Sequence, residues 1–166
     1  MKNIQAKLKK IVKSLKPYLF TFVFIVCSFV SAFVLCCIFN KPQTAWFFEL
    51  EKSFLYPPEI LFPIMWIIVY IILIFVCSII VYKSKSTVLV IKIAASLVFH
   101  VLWNLFFFML HSPIFGFLIL LALVVLSISI LKASFRANKI TGILSIVYTV
   151  WLGYLLILNY CILMIN

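Results

Sequence analysis

The side chains in this chain best suited to chemistry are aromatic, and they recur at helical spacing. Trp66 and Tyr70 stand one helical turn apart. Trp103 and Phe107 share that spacing, with Phe106 and Phe108 alongside. Tyr148 and Trp151 share a face, which Asn159 continues two turns later. Residues three or four apart on a helix face one way, so three helices can each present an aromatic stripe to a common centre. Flat aromatic walls suit a flat aromatic or polycyclic ligand, through offset stacking. His100, Asn104 and Asn159 add directional polar atoms, and a mostly apolar cavity with a few such groups is the usual small-molecule site. The same periodicity also fits plain packing and interfacial belts, since Trp and Tyr favour headgroup depth. Trp46 in particular fits a belt.

Ionisable chemistry is scarce. There is no Asp, and all three acidic residues, Glu49, Glu51 and Glu59, fall in residues 46–70. No apolar segment contains an Asp, Glu or Arg. Ionisable groups deep in a membrane are the default functional suspects, and here they reduce to His100, with Lys92 near enough to a span end to snorkel. A neutral imidazole at His100 serves either a structural hydrogen bond or a pocket wall. Without a carboxylate there is no proton relay, which argues against an ion-coupled pump. Five cysteines (27, 36, 37, 77 and 161) lie in apolar segments with no C-x-x-C and no Cys/His ligand spacing. They read as small hydrophobes, and no metal site, phosphate loop or nucleophile–base pair is expected.

The elements that must position these residues are membrane helices. Hydrophobic residues make up 67% of the 166 and charged residues 10%, far from soluble averages of about half and about a quarter. A span needs about 20 apolar residues. Five segments qualify, near 17–39, 61–82, 88–110, 113–131 and 141–163, in one domain covering residues 1–166. The apolar runs are continuous rather than alternating, which excludes a barrel, and backbone satisfaction in lipid leaves helices. Residues 1–16 form a basic juxtamembrane segment with six of the fourteen basic residues. Such a segment is attracted to anionic lipid. It is not a signal peptide, because the following apolar run is too long and lacks a small-x-small cleavage site. The net charge of +11 is therefore no whole-protein field, and no nucleic-acid partner is expected. Lys and Arg alternate in sidedness through the six exposed segments, which puts the amino end inside and the carboxyl end outside.

Residues 40–60 form a long loop between the first two spans. It is aromatic, stiffened by Pro57 and Pro58, and runs straight into the helix carrying Phe62, Trp66 and Tyr70. That is how a lid over a pocket between helices would be written.

With these motifs the chain resembles the translocator protein family (TspO/MBR, the tryptophan-rich sensory proteins or peripheral-type benzodiazepine receptors). The family's first-loop pattern is matched by Trp46, Leu50-Glu51-Lys52, Pro57-Pro58, Phe62, Trp66 and Tyr70. Its third helix is matched by His100, Trp103 and Phe107-Phe108. Its last helix is matched by Val147-Tyr148-x-x-Trp151, Leu158-Asn159-Tyr160 and Asn166. The resemblance spans residues 46–166, and the first span matches only in hydrophobicity and position.

The resemblance implies an all-α integral membrane protein, a five-helix bundle that is commonly dimeric, with a pocket under the first loop. It implies protoporphyrin IX or haem as ligand with no required cofactor, and membrane lipid and a second copy of the chain as partners. Light- and oxygen-dependent protoporphyrin degradation is the alternative, through Trp66 and Trp151. Departures from the pattern are Ser53 for a proline, Leu55 for a Trp, His100 for an Asn, Val147 for a proline and Leu155 for a small residue. His100 would offer a nitrogen to a metalloporphyrin, and Leu155 would narrow the pocket. Cholesterol is not expected, because no basic residue follows Tyr160 and the match at Val76, Tyr82 and Lys85 is of a common kind. The Lys-heavy, Arg-poor start favours a bacterial inner membrane over a mitochondrial outer membrane.

Overall fold

The computed structural model describes residues 2–40, 44–84 and 86–166. Its elements are α1 (Lys2–Asn40), α2 (Thr44–Glu49), α3 (Leu61–Ser84), α4 (Thr87–Asn104), a π turn (Leu105–Met109), α5 (Pro113–Ala137) and α6 (Lys139–Ile165). Five of these helical stretches are long and apolar enough to cross a membrane, and no strand occurs among the described residues. Lys41 and Lys85, which enter the charge pattern, lie outside the described residues.

Two expected boundaries change. The basic start and the first span form one continuous helix, α1, rather than two segments. The gap left between the expected spans 113–131 and 141–163 shrinks to a single extended residue, Asn138, between α5 and α6. Its side chain caps α6 by accepting from the Ile140 N–H at 3.1 Å, while the Thr141 hydroxyl lies 2.9 and 2.8 Å from the Ser134 and Asn138 carbonyls, which share its one proton. A polar cap at that point satisfies both helix ends, so the charged residues flanking it stay helical.

The hydrogen-bonding capacity of buried side chains is spent locally. Ser78, Ser96, Ser127, Ser134 and Ser145 each donate to a carbonyl three or four residues back at 2.6–2.8 Å. Ser145 Oγ also lies 2.8 Å from Ser134 Oγ, so its one proton is shared between that oxygen and the Thr141 carbonyl, which ties α6 to α5. Small residues at that seam, including Gly116 and Gly142, let the two helices approach closely. The opposite faces carry large exposed apolar side chains such as Phe75, Ile91, Val125, Val150 and Ile157, as helices facing lipid tails require. Cys36 and Cys77 are buried, but Cys27 and Cys37 are exposed, so not every thiol acts as core filling.

Edge-to-face ring contacts align α1 antiparallel to α3: Tyr18 meets Tyr82, Phe22 meets Phe75 and Phe29 meets Tyr70. One end of the bundle thus gathers the α1 start, the α3–α4 turn and the α5–α6 turn. The other end carries α2 and the 50–60 segment.

Candidate ligand cavity

A cavity of about 310 Å³ opens between the helices beneath α2 and the 50–60 segment. Its walls follow from helical spacing. Phe62, Trp66 and Tyr70 come from successive turns of α3. Trp103 and Asn104 from α4 meet Phe107 and Phe108 from the π turn. Leu155 and Asn159 line it from α6, with Leu158 and Ile162. The rings run into one another: Trp66 lies 6.0 Å from Trp103 and 6.3 Å, edge-on, from Trp151, and Trp103 stacks on Phe107 at 5.7 Å.

The first span supplies a wall that sequence reasoning missed, Phe33, Cys36 and Cys37. Phe33 sits edge-on to Tyr70 at 5.6 Å. A Phe one turn from a Cys pair was the available signal, but it looks like any stretch of apolar helix.

The π turn finishes the α4 wall. Leu110 N–H donates to the Leu105 carbonyl at 2.9 Å and Ser112 N–H to the Phe106 carbonyl at 3.0 Å. His111 then takes a left-handed backbone with φ 50°, a region His enters more readily than most residues. Its ring stacks on Trp46 at 4.6 Å. Trp46 is thus a peg holding α2 onto the α4–α5 turn, behind the cavity wall rather than on it.

Five other expected site residues also lie off the wall. Pro57 and Pro58 shape the approach to α3, where Leu61 N–H donates to the Pro58 carbonyl at 2.9 Å. Trp151 packs behind Phe62 and Trp66, at 5.9 and 6.3 Å. His100, 1% exposed, sits beneath Trp66 and Tyr70 at 5.4 and 6.0 Å. Its Nδ1 meets the Ser96 carbonyl at 2.7 Å, so that nitrogen carries the proton, and Nε2 faces the Tyr148 hydroxyl at 3.5 Å. His100 and Tyr148 form a polar floor under the cavity. The imidazole is the structural hydrogen-bonding kind, and it is not placed to reach a metalloporphyrin.

Asn104 and Asn159 differ in how they are satisfied. Asn104 Nδ2 donates to Cys36 Sγ at 3.1 Å and to the His100 carbonyl at 2.9 Å. Asn159 is 2% exposed, and neither of its amide atoms has a partner among the described residues. The indole N–H groups of Trp103 and Trp151 are likewise unpartnered. A buried polar group left unpaired costs about 1–3 kcal/mol. Asn159 and Trp103 both contribute to the cavity wall, with their unpaired polar atoms buried within it. No cluster of three His, Cys, Asp or Glu residues occurs among the described residues.

The lid is pinned at both margins. Asn166 accepts from the Glu51 N–H at 2.9 Å and donates to the Glu51 carbonyl at 3.1 Å. Tyr154 donates to the Leu55 carbonyl at 2.8 Å. Lys52 pairs with Glu59 at 3.4 Å and lies 5.0–5.2 Å from the ring centres of Phe47, Phe48 and Tyr56. An exposed pair of this kind contributes little by itself, but the cation gathers three lid rings that face the cavity.

Burial, then the carboxylate of Glu59 and the nearby Tyr154, push the Tyr56 phenol up from its ordinary 10.0 to about 12. A raised acid favours the fold while it stays neutral, so this contribution is complete below pH 10 and is lost as pH rises towards 12. The 295 nm absorbance difference between the parent and Tyr56→Phe is expected to titrate near 12 rather than 10.

The match to known proteins agrees with this geometry. Residues 15–165 match the model of the TspO/MBR family. The chain is also 27% identical over 130 residues to the tryptophan-rich protein TspO of Chlorobaculum tepidum, covering 76% of this chain and 82% of that protein. The match takes in the first span, which motifs alone had left unassigned. Five membrane-length helices around an aromatic cavity, and a family match along nearly the whole length, make this chain a member of the TspO/MBR family.

Proposed function

We propose that the cavity binds a tetrapyrrole, protoporphyrin IX or haem, with no further cofactor, in transport or sensing. The observation that carries this reading is the unsatisfied Asn159 amide inside an aromatic-walled space. Stacking on Trp66 and Trp103 suits a planar macrocycle, and Asn159 and the Trp103 indole suit its polar edge. At about 310 Å³ the space sits at the low end of small-molecule pockets, about 300–1,000 Å³. A macrocycle therefore enters by lifting the lid. Titration of purified protein with protoporphyrin IX is expected to quench tryptophan fluorescence to saturation. Unquenched fluorescence in folded protein would refute the proposal.

The lid pins set the kinetics of that entry. In Asn166→Ala both bonds to Glu51 are lost, each worth about 0.5–1.5 kcal/mol. Stopped-flow mixing is expected to show faster protoporphyrin association and dissociation, with dissociation raised roughly 5- to 150-fold, the equivalent of both bonds together.

A second reading is favoured by the edge-on Trp66–Trp151 contact at 6.3 Å, which couples a wall indole to a second one behind it. On this reading light and oxygen degrade bound protoporphyrin. Illumination in air would then bleach the Soret band with the parent protein but not with Trp66→Phe or Trp151→Phe, at retained affinity. Equal bleaching in all three would leave binding as the function.

The proposal extends to placement. A bacterial relative supports a bacterial inner membrane. Twelve of the fourteen basic residues belong by chain position to the end holding the α1 start, and all three acidic residues to the other. That supports an amino end inside. A homodimer rests on the family resemblance.

A further inference from the structure

A second cavity, of about 620 Å³, lies at the opposite end of the bundle from the lid. Three helices build it. Lys83 comes from the end of α3, and Lys92 from one turn inside α4. Lys132 and Arg136 come from one face of the last turns of α5. Hydroxyl-bearing Ser84, Ser86 and Ser129 line the same space, and its apolar surface comes from Val88, Leu89, Ala133 and Ala137.

The charge balance here is one-sided. Every carboxylate side chain of the protein lies in residues 49–59, on the lid. The ion pair among the described residues, Lys52 with Glu59, is there as well. Lys83 is partly engaged, donating to the Ala137 carbonyl at 3.1 Å and so closing the α5 end. Lys92, Lys132 and Arg136 remain as cations around one space with no carboxylate side chain at that end. Like charges so gathered repel, and the cost falls when an anion enters. Lys92 is half-buried within a membrane-length helix, where a lone charge is expensive and marks a partner.

We propose that this cavity holds the phosphate of an anionic glycerophospholipid. The cations and serine hydroxyls would take the phosphate oxygens, with Arg136 able to do so in a bidentate way. The Val88, Leu89 and Ala133 surface would carry the glycerol and first acyl carbons. The lipid source follows from position: the cavity opens at the ends of three membrane-length helices, where headgroups lie. Basic pockets between such helices commonly take lipid headgroups. The site is remote from the aromatic cavity and independent of what that cavity binds.

The test is native mass spectrometry of the full chain in neutral detergent with added phosphatidylglycerol. The parent is expected to retain one phosphatidylglycerol and no phosphatidylcholine. Lys132→Gln with Arg136→Gln, both at exposed positions, should lower retention roughly fivefold per charge removed. Lys139→Gln lies at the same end but outside the cavity and should leave retention unchanged. Lys132→Arg should retain lipid like the parent. Circular dichroism of each variant checks that helices persist, and Lys92→Gln provides a second route should the double variant not fold. Equal losses in Lys139→Gln and Lys132→Gln would reduce the effect to general surface charge and overturn the site. Displacement of the lipid by an equal concentration of glycerol 3-phosphate would overturn the lipid assignment in favour of a soluble phosphate.

Discussion

A Trp66→Ala chain is expected to bind protoporphyrin IX about 30- to 100-fold more weakly than the parent, a loss of roughly 2–3 kcal/mol of the kind that buried aromatic anchors carry. Trp66 is the point where the wall is continuous. It reaches Tyr70, His100, Trp103 and Trp151 at ring separations of 5.4–6.3 Å. Truncation removes a stacking surface and also lets Trp103 and Phe62 relax into the space. Trp151→Ala should act differently, lowering thermal stability more than direct affinity, because Trp151 supports the wall from behind. Fluorescence titration beside thermal unfolding separates the two. An affinity within twofold of the parent in Trp66→Ala would mean that the cavity is not where the porphyrin sits.

The second large effect is expected at Gly116. A Cβ there would lie 2.9 Å from Phe107 Cδ2, 3.1 Å from Asn159 Nδ2 and 3.2 Å from Phe107 Cβ. The Phe107 Cβ cannot swing away, because the backbone of the π turn holds it. Gly116→Val must therefore displace α5 or drive Phe107 and Asn159 into the cavity. Overpacking of this kind costs about 1–3 kcal/mol, and both displaced side chains line the cavity. The melting temperature and protoporphyrin affinity should fall together. Gly153→Val serves as the control, since nothing lies within 4 Å of a Cβ there. It should leave both quantities at parent values.

The site was partly legible before any coordinates, for reasons that differ by residue. Trp66, Tyr70, Trp103 and Phe107 were readable because helical spacing alone puts them on shared faces. Asn159 was readable as a polar position on the α6 stripe. Its want of a partner was not, because satisfaction depends on what stands across the bundle. His100 was read two ways, and only the Ser96 carbonyl and the Tyr148 hydroxyl decide between them. Phe33 and Cys36 were invisible in a run where nearly every residue is apolar. The gap between the expected spans 113–131 and 141–163 is helical instead, because its charged residues sit on the ends of α5 and α6 and one Asn cap joins the two.

Hydrophobic run length and charge placement, both properties of the chain as written, already required five membrane helices with a basic end and an acidic lid. They could do so because burial in lipid acts on each segment separately. Which side chains share a space was decided by packing. The α1 wall, the polar floor beneath Trp66, the Asn166 clamp on Glu51 and the basic cavity at the far end each join residues distant in sequence. Their energies depend on distances between helices, and no local pattern encodes those distances.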